Sequence, residues 1–338
     1  MPPSPRPPRA VFAMDPVHLP LLFPPPLMTR LGRTADLDAA FVVRDFADPA
    51  AADALARAEV LITGWGCPHL DAGVLAAAPR LRAVLHAAGS VRSLVGEAVW
   101  KHGVTVSSAA TGNAVPVAEY TLAMILLAGK DAFGHRERYR RTHVRPTSAE
   151  TVTTGNLGRR VGVIGASRVG RRLTELLRPF DLTVLLHDPY VSPAEAAALG
   201  AELLGLEDLL RRSDIVSLHA PDIPETHRML DRDRLALLRD GSVLINTARG
   251  ALVDHEALTE ELVSGRLRAV LDVTEPEPLP AGSPLYRLSN VFLTPHIAGS
   301  LGNELERLGT IVAEELERLA AGLPPLHEVR HADLARIA

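Results

Sequence analysis

The sequence predicts an α/β protein of doubly wound parallel sheets, with more strands than one small sheet holds. Three observations carry this. Strand-like and helix-like segments alternate almost throughout the 338 residues. The strand-like segments are short, continuous apolar runs, as parallel strands covered on both faces require. A glycine turn, "RVGVIGASRVGRR" at 160–172, stands between one such run and a basic helix start.

Taken in order, the strand candidates are "AVFAM", "AAFVV", "EVLITG", "LRAVLH" and "VTVSS" in the first third. "RVGVIG", "LTVLLH", "DIVSLH", "SVLINTA", "RAVLDV" and "NVFLTPH" follow. Helical patterns sit between them, including "DAGVLAAAPR", "RRLTELLR", "DRDRLALLR" and "DHEALTEELVSG". Such alternation points to doubly wound architecture. A domain break is expected near "SSAATGN", residues 107–113. The helix that follows, "NAVPVAEYTLAMILLAGK", is apolar on nearly every face, which suits burial between domains or against a second subunit. The polar, basic stretch from Gly134 to Asn156 is expected to be a linker. After His296, "IAGSLGNELERLGTIVAEELERLAAG" reads as a small-residue turn and one long amphipathic helix.

Bulk composition narrows the function classes. A formal charge of −4 gives no global attraction to nucleic acid or anionic membrane. The single cysteine, Cys67, allows no intrachain disulfide and fits a reducing compartment. Arginines then apolar residues open the chain in the manner of a leader. Pro16, Pro20 and Pro24 to Pro26 break that run, however, and no small-residue cleavage site follows. The longest clean apolar stretch, "TLAMILLAG", is about half of a bilayer span. A soluble cytoplasmic protein is expected, with no membrane partner and no metal.

The glycine turn has the context of a dinucleotide site. A strand precedes Gly165-Ala-Ser167-Arg168-Val169-Gly170, a helix follows, and Asp188 ends the next strand 23 residues after Gly165. Gly165 permits the tight turn and Gly170 permits close helix–strand packing. Ser167 takes the position where a middle glycine usually lets backbone approach phosphates. It is small, and its hydroxyl can donate to a phosphate oxygen beside the helix N-terminal amides. A plain βα turn is the competing reading of the motif alone. An acid at Asp188 favours NAD over NADP, because it repels a 2′-phosphate; otherwise it is a turn cap before Pro189.

A second constellation is stronger. Arg249 follows "SVLINTA", Asp272 and Glu277 lie at and beyond the end of "RAVLDV", and His296 ends "NVFLTPH". All sit at carboxyl ends of predicted parallel strands, the edge where open α/β sheets bind ligands. Taken singly, the arginine reads as a solvated surface group, "EPEP" as a stiff acidic loop, and the histidine as one of 13. Together they suit carbonyl reduction beside a nicotinamide. A planar guanidinium holds a 2-oxo acid, an imidazole delivers the proton, and a carboxylate on its other nitrogen orients the ring.

These motifs resemble the D-isomer-specific, NAD-dependent 2-hydroxyacid dehydrogenase family. "VGVIGASRVG", "NTARGALVDHEAL", "LDVTEPEPLP" and "LTPHIAGS" carry the resemblance, with "GNAVPVAEYTLAMILLA" and "SLHAPDIPETHRML" in support. It covers roughly residues 108–300; the first hundred match loosely. The resemblance implies a Rossmann-type NAD domain over 108–297 and a flavodoxin-like substrate domain made of 1–107 and 298–338, with a cleft between them. It implies closure of that cleft about hinges near "SSAATG" and "IAGSLG". It also implies Arg249 as the substrate-orienting arginine, with His296 as proton donor and acceptor and Glu277 as its paired acid. Gly165, Ser167, Arg168, Val169, Gly170, Asp188, Ala248 and Asp272 are the expected cofactor contacts, Asp272 toward the nicotinamide carboxamide. Gly89 and Ser90, with Trp65 and Arg249, are the expected substrate contacts. Homodimers pack in this family partly through the helix here spanning Asn113 to Leu127.

Two departures stand out. Ser167 replaces a glycine, and Gly89-Ser90-Val91-Arg92 replaces a glycine-rich turn ending in Asp or Asn. Arg92 either tunes substrate preference or is a surface arginine. Trp65 either shapes an apolar side-chain pocket or packs under its loop, and Cys67 has no motif around it. The leading expectation is an enzyme interconverting a 2-oxo acid and a D-2-hydroxy acid. The alternative is an NAD(H)-sensing, corepressor-like binding protein of the same fold. A third reading, nucleic-acid binding through "HRERYRRTHVR", is disfavoured by the run's shortness and its acid. Formate-type members carry Gln where Glu277 stands, so formate is not expected. About forty residues follow His296, so the long regulated phosphoglycerate dehydrogenase is not expected either. Glyoxylate, hydroxypyruvate, pyruvate and larger 2-oxo acids stay open.

Overall fold

The computed structural model describes residues 6–334. The chain divides into two compact units, one comprising the chain up to Ala114 and from Ser300, the other Val115–Gly299. Each change of unit falls a few residues beyond the position the sequence suggests.

The first unit carries five parallel strands: β1 (Ala10–Ala13), β2 (Val42–Val43), β3 (Val60–Thr63), β4 (Ala83–His86) and β5 (Thr105–Ser108). Their order is β2-β1-β3-β4-β5. Alternation along β1 shows why the runs are continuously apolar. Ala10 and Phe12 join one buried cluster, with Leu27, Leu31, Leu308 and Val312. Val11 and Ala13 join the other, with Leu55, Val74 and Val99. Helices Pro25–Thr34 and Leu305–Ala320 supply the first face, and Pro49–Arg57, Ala72–Ala77 and Glu97–Lys101 the second. A strand buried on both sides has no polar face to alternate.

The second unit carries seven parallel strands: β6 (Arg159–Ile164), β7 (Leu182–His187), β8 (Glu202–Leu203), β9 (Ile215–Leu218), β10 (Val243–Asn246), β11 (Arg268–Leu271) and β12 (Val291–Leu293). Their order is β12-β11-β10-β9-β6-β7-β8. Chain direction across the sheet reverses between β6 and β9, the switch point where such sheets open a ligand crevice at the strand carboxyl ends. Helix Arg168–Leu177 packs Leu173 and Leu177 against Val161 and Val163. On the opposite face Leu209, Leu235 and Leu258 cover Val216, Leu218 and Leu244.

Three features depart from the sequence reading. Strand β8 has two residues, too few to show a period. The expected linker after Gly134 instead holds helices Ala132–Thr142 and Ser148–Thr151. Neither buries a residue, so neither leaves an apolar stripe to read. Good helix formers, a Glu137–Arg140 pair at 3.1 Å and an Arg138–Glu150 pair hold them. Phe133 anchors the first helix by stacking on Phe292, with ring centroids 4.2 Å apart. Third, the apolar helix begins earlier, spanning Ala110–Gly129 with Pro116 inside. Among the described residues it alone is long and apolar enough to cross a membrane by length and composition, and more than half of its most apolar stretch is buried within the protein.

Candidate active site

The glycine turn is built by close approach. Gly165 follows β6 at φ +96°, and a Cβ there would lie 2.6 Å from the Ala220 nitrogen. A Cβ on Gly170 would lie 2.0 Å from the Gly165 carbonyl oxygen. Any larger residue at either position therefore moves the turn. Ser167 is different, because its side chain has a place. It caps helix Arg168–Leu177, its Oγ accepting from the Gly170 N–H at 3.4 Å. Arg168 is exposed and Val169 half-buried in the first turn of that helix. Asp188, just past β7, grips the same turn: Oδ2 accepts from the Ala166 N–H at 2.7 Å and Oδ1 from the Tyr190 N–H at 2.8 Å. Beneath the turn, His219 follows β9 and is 3% exposed, its Nε2 2.8 Å from Ser217 Oγ. Burial pushes its pKa down to about 3, so it is neutral there.

At the end of β10 a buried asparagine shapes the arginine loop. Asn246 Oδ1 accepts from the Ala248 N–H at 3.0 Å, and its Nδ2 donates to the Arg249 carbonyl at 2.8 Å. The Arg249 guanidinium, half-buried, donates to the Ala248 carbonyl at 2.6 Å. Gly250 brings this loop onto the segment after β11, since a Cβ on it would lie 2.2 Å from the Thr274 carbonyl. Asn246 escaped the sequence reading; a polar residue closing a buried strand was its signal.

The ends of β11 and β12 are joined through Asp272, which is 2% exposed. Its Oδ1 accepts from Thr294 Oγ1 at 2.6 Å and the Ile297 N–H at 2.8 Å, and its Oδ2 accepts from the Ala298 N–H at 2.9 Å. The expected cofactor contact thus has its carboxylate committed to the loop that carries the histidine. His296 itself stands at φ +55°. Its N–H donates to the Asp272 carbonyl at 2.9 Å, and its Nδ1 lies 2.7 Å from Glu277 Oε1. A carboxylate only accepts, so the proton in that bond sits on Nδ1 and leaves Nε2 to exchange protons. Pro276 and Pro278 flank Glu277 and restrict its backbone. A cavity of about 480 Å³ is lined by Asp272, Glu277, Leu279, Tyr286, Thr294 and His296, among others.

The structure therefore sets Gly165, Ser167, Gly170 and Asp188 in one turn, pairs Glu277 with His296 directly, and brings the Arg249 loop onto the segment leading to Glu277. All lie at carboxyl ends of strands of one parallel sheet. Trp65, Gly89 and Ser90 belong to the other unit. Trp65 follows β3, is 36% exposed and lies 5.4 Å from the His18 ring. Gly89 and Ser90 follow β4, the Gly89 carbonyl accepting from Ser108 Oγ at 2.7 Å. Arg92 donates to the Leu334 carbonyl, so its guanidinium has an internal partner. Burial pushes the Cys67 thiol up to about 12, which makes it a poor nucleophile.

A family model described as the D-isomer specific 2-hydroxyacid dehydrogenase NAD binding domain matches residues 122–298, just over half of the chain. The chain is 39% identical over 259 residues to D-3-phosphoglycerate dehydrogenase of Mycobacterium bovis; the match covers 75% of this chain and 48% of that protein. It thus spans about half the length of the phosphoglycerate dehydrogenases it matches. Glyoxylate reductase of Aeropyrum pernix is 33% identical, over 76% of this chain and 78% of its own. The crystal structure of the TT0316 protein from Thermus thermophilus superposes with a TM-score of 0.76 at 32% identity, covering 95% of this chain and all of that one.

Proposed function

Because the chain belongs to the D-isomer specific 2-hydroxyacid dehydrogenase family and carries its NAD-binding domain, we propose that it interconverts a 2-oxo acid and a D-2-hydroxy acid. The observation that carries this reading is the Glu277–His296 pair at 2.7 Å, with Nε2 left open at the strand edge.

The turn fits a dinucleotide. Gly165 and Gly170 leave no room for side chains, so backbone is what it presents, and helix Arg168–Leu177 begins there with its amides and positive dipole end. Ser167, Arg168 and Val169 would complete the phosphate contacts, and Asp188 would face the adenosine ribose and disfavour a 2′-phosphate. Ala248 and the Asp272 region line the nicotinamide end. NAD(H) bound there supplies the hydride acceptor or donor for carbon 2 of the acid.

The chain's own residues do the rest. Arg249 fixes the substrate carboxylate with its planar fork. In reduction, His296 Nε2 delivers a proton to the carbonyl oxygen; in oxidation it removes the hydroxyl proton. Glu277 holds the ring and offsets the charge of the protonated imidazole. The backbone amides of the Gly89-Ser90 turn meet the substrate carboxylate, and Trp65 shapes an apolar pocket for its side chain. A cytoplasmic homodimer packing through residues 113–127 of the apolar helix completes the reading; Leu127 there is 40% exposed.

The test is a fluorescence titration with NADH and NADPH in parallel. Glyoxylate, hydroxypyruvate and its 3-phosphate, pyruvate and larger 2-oxo acids are then added to the NADH-loaded protein. Tight NADH binding and oxidation by at least one acid are expected. NADH binding without turnover on any acid would replace the enzyme with a nucleotide-sensing binding protein. No binding of either nucleotide would end both readings.

A further inference from the structure

Tyr120, in helix Ala110–Gly129, stands outside every role assigned above. Its hydroxyl lies 2.7 Å from Thr294 Oγ1, which in turn lies 2.6 Å from Asp272 Oδ1. The direction of these bonds is determined. A carboxylate oxygen only accepts, and a threonine hydroxyl has one proton. That proton goes to Asp272, so the proton between Tyr120 and Thr294 belongs to the phenol. Burial and the nearby Asp272 charge push the Tyr120 pKa upward, so the phenol keeps its proton at neutral pH.

We propose that Tyr120 is a positioning residue: through Thr294 it sets the Asp272 carboxylate, and Asp272 holds the backbone that aims His296. The inference rests on His296 being the proton donor. Asp272 receives the amides of Ile297 and Ala298 through its carboxylate and that of His296 through its carbonyl. His296 stands at φ +55°, a conformation that is unfavourable for a residue with a Cβ and persists only where the surroundings hold it. One buried carboxylate therefore supports the two residues after the strained histidine. The Tyr120–Thr294 chain fixes the rotation of that carboxylate. If Tyr120 merely filled space, phenylalanine would serve as well, because it keeps the ring and loses only the donor.

The experiment compares wild type, Tyr120→Phe, Thr294→Ser and Thr294→Val in two measurements. The first is hydrogen exchange at the Ile297 and Ala298 amides, with β6 amides as a control for global stability. The second is kcat and KM on whichever 2-oxo acid the wild type uses. Tyr120→Phe and Thr294→Val should exchange at least tenfold faster at both amides. They should also lose at least tenfold in kcat, with KM and NADH affinity within twofold. Thr294→Ser, which keeps the hydroxyl, should stay within twofold of wild type throughout. Wild-type exchange or wild-type kcat in Tyr120→Phe overturns the inference, and so does a Thr294→Ser as impaired as Thr294→Val. A wild type inactive on every acid overturns the proposed reaction instead, and the exchange data still decide whether Tyr120 holds the loop.

Discussion

Replacing Gly170 by alanine tests whether the βα turn is a backbone cradle, and Ser167→Gly is its natural companion. The alanine Cβ would sit 2.0 Å from the Gly165 carbonyl oxygen and 3.5 Å from His219 Cβ. Ordinary carbon–oxygen contact needs well over 3 Å, so the turn or the helix must move by about 1 Å. Forcing a methyl into a packed site costs about 1–3 kcal/mol. Alanine recovers up to about 1 kcal/mol of helix propensity, because position 170 lies within the helix. A net loss of about 1–2 kcal/mol lowers Tm by about 2–8 °C. The larger effect falls on the ligand. A turn displaced by about 1 Å no longer meets the pyrophosphate, and a loss of about 1.4 kcal/mol or more weakens NADH at least tenfold. Within the fold Ser167→Gly removes a 3.4 Å capping bond and should cost a few tenths of a kcal/mol, and it keeps the backbone amide that faces the phosphates. Its NADH affinity should stay within about threefold of wild type. Fluorescence titration and differential scanning calorimetry measure both variants. Wild-type affinity and Tm in Gly170→Ala would refute the cradle argument, as would a Ser167→Gly weaker for NADH than Gly170→Ala.

Other expectations follow from the same geometry. His296→Asn should lower kcat by about 10²–10⁴ while NADH titrates normally; near-normal turnover would remove His296 from the proton transfer. Arg249→Lys should raise KM for the 2-oxo acid and lower kcat/KM, because a point charge cannot copy the planar fork, and steady-state kinetics at saturating NADH reads this directly. Acid should destabilise both units through their buried histidines. Burial holds His86 at about 4 and His219 at about 3, below the ordinary 6.5, so the unfolded chain binds more protons as pH falls from about 6.5. Their stabilisation is complete above about pH 6.5 and is lost as pH falls towards about 4 for His86 and about 3 for His219. It corresponds to about 3 kcal/mol for His86. Urea unfolding at pH 7, 5.5 and 4.5 should show His86→Gln with a shallower acid loss than wild type; parallel curves would contradict the assignment.

Much of the fold is legible in the chain because it rests on short-range pattern. Eleven expected strands coincide with β1–β7 and β9–β12, since a strand covered on both faces must be an apolar run. Gly165, Ser167 and Gly170 announce the turn because its geometry is written in consecutive residues. The helix Ala132–Thr142 is the counterexample: pairs of charges hold it at the surface, and no stripe marks it.

By itself, then, the sequence determined the class of fold and the strand edge at which Arg249, Glu277 and His296 stand. Tertiary structure decided what those residues touch. Asp272 reads as one more acid at a strand end, yet folding buries it and turns its oxygens towards Thr294, Ile297 and Ala298. Arg92 meets the Leu334 carbonyl, and Tyr120 meets Thr294, across long stretches of chain. No local period encodes such pairs. A hydrogen bond reaches about 3 Å in space and carries no trace of its separation along the chain. It forms only once the apolar faces have packed and brought its two ends together.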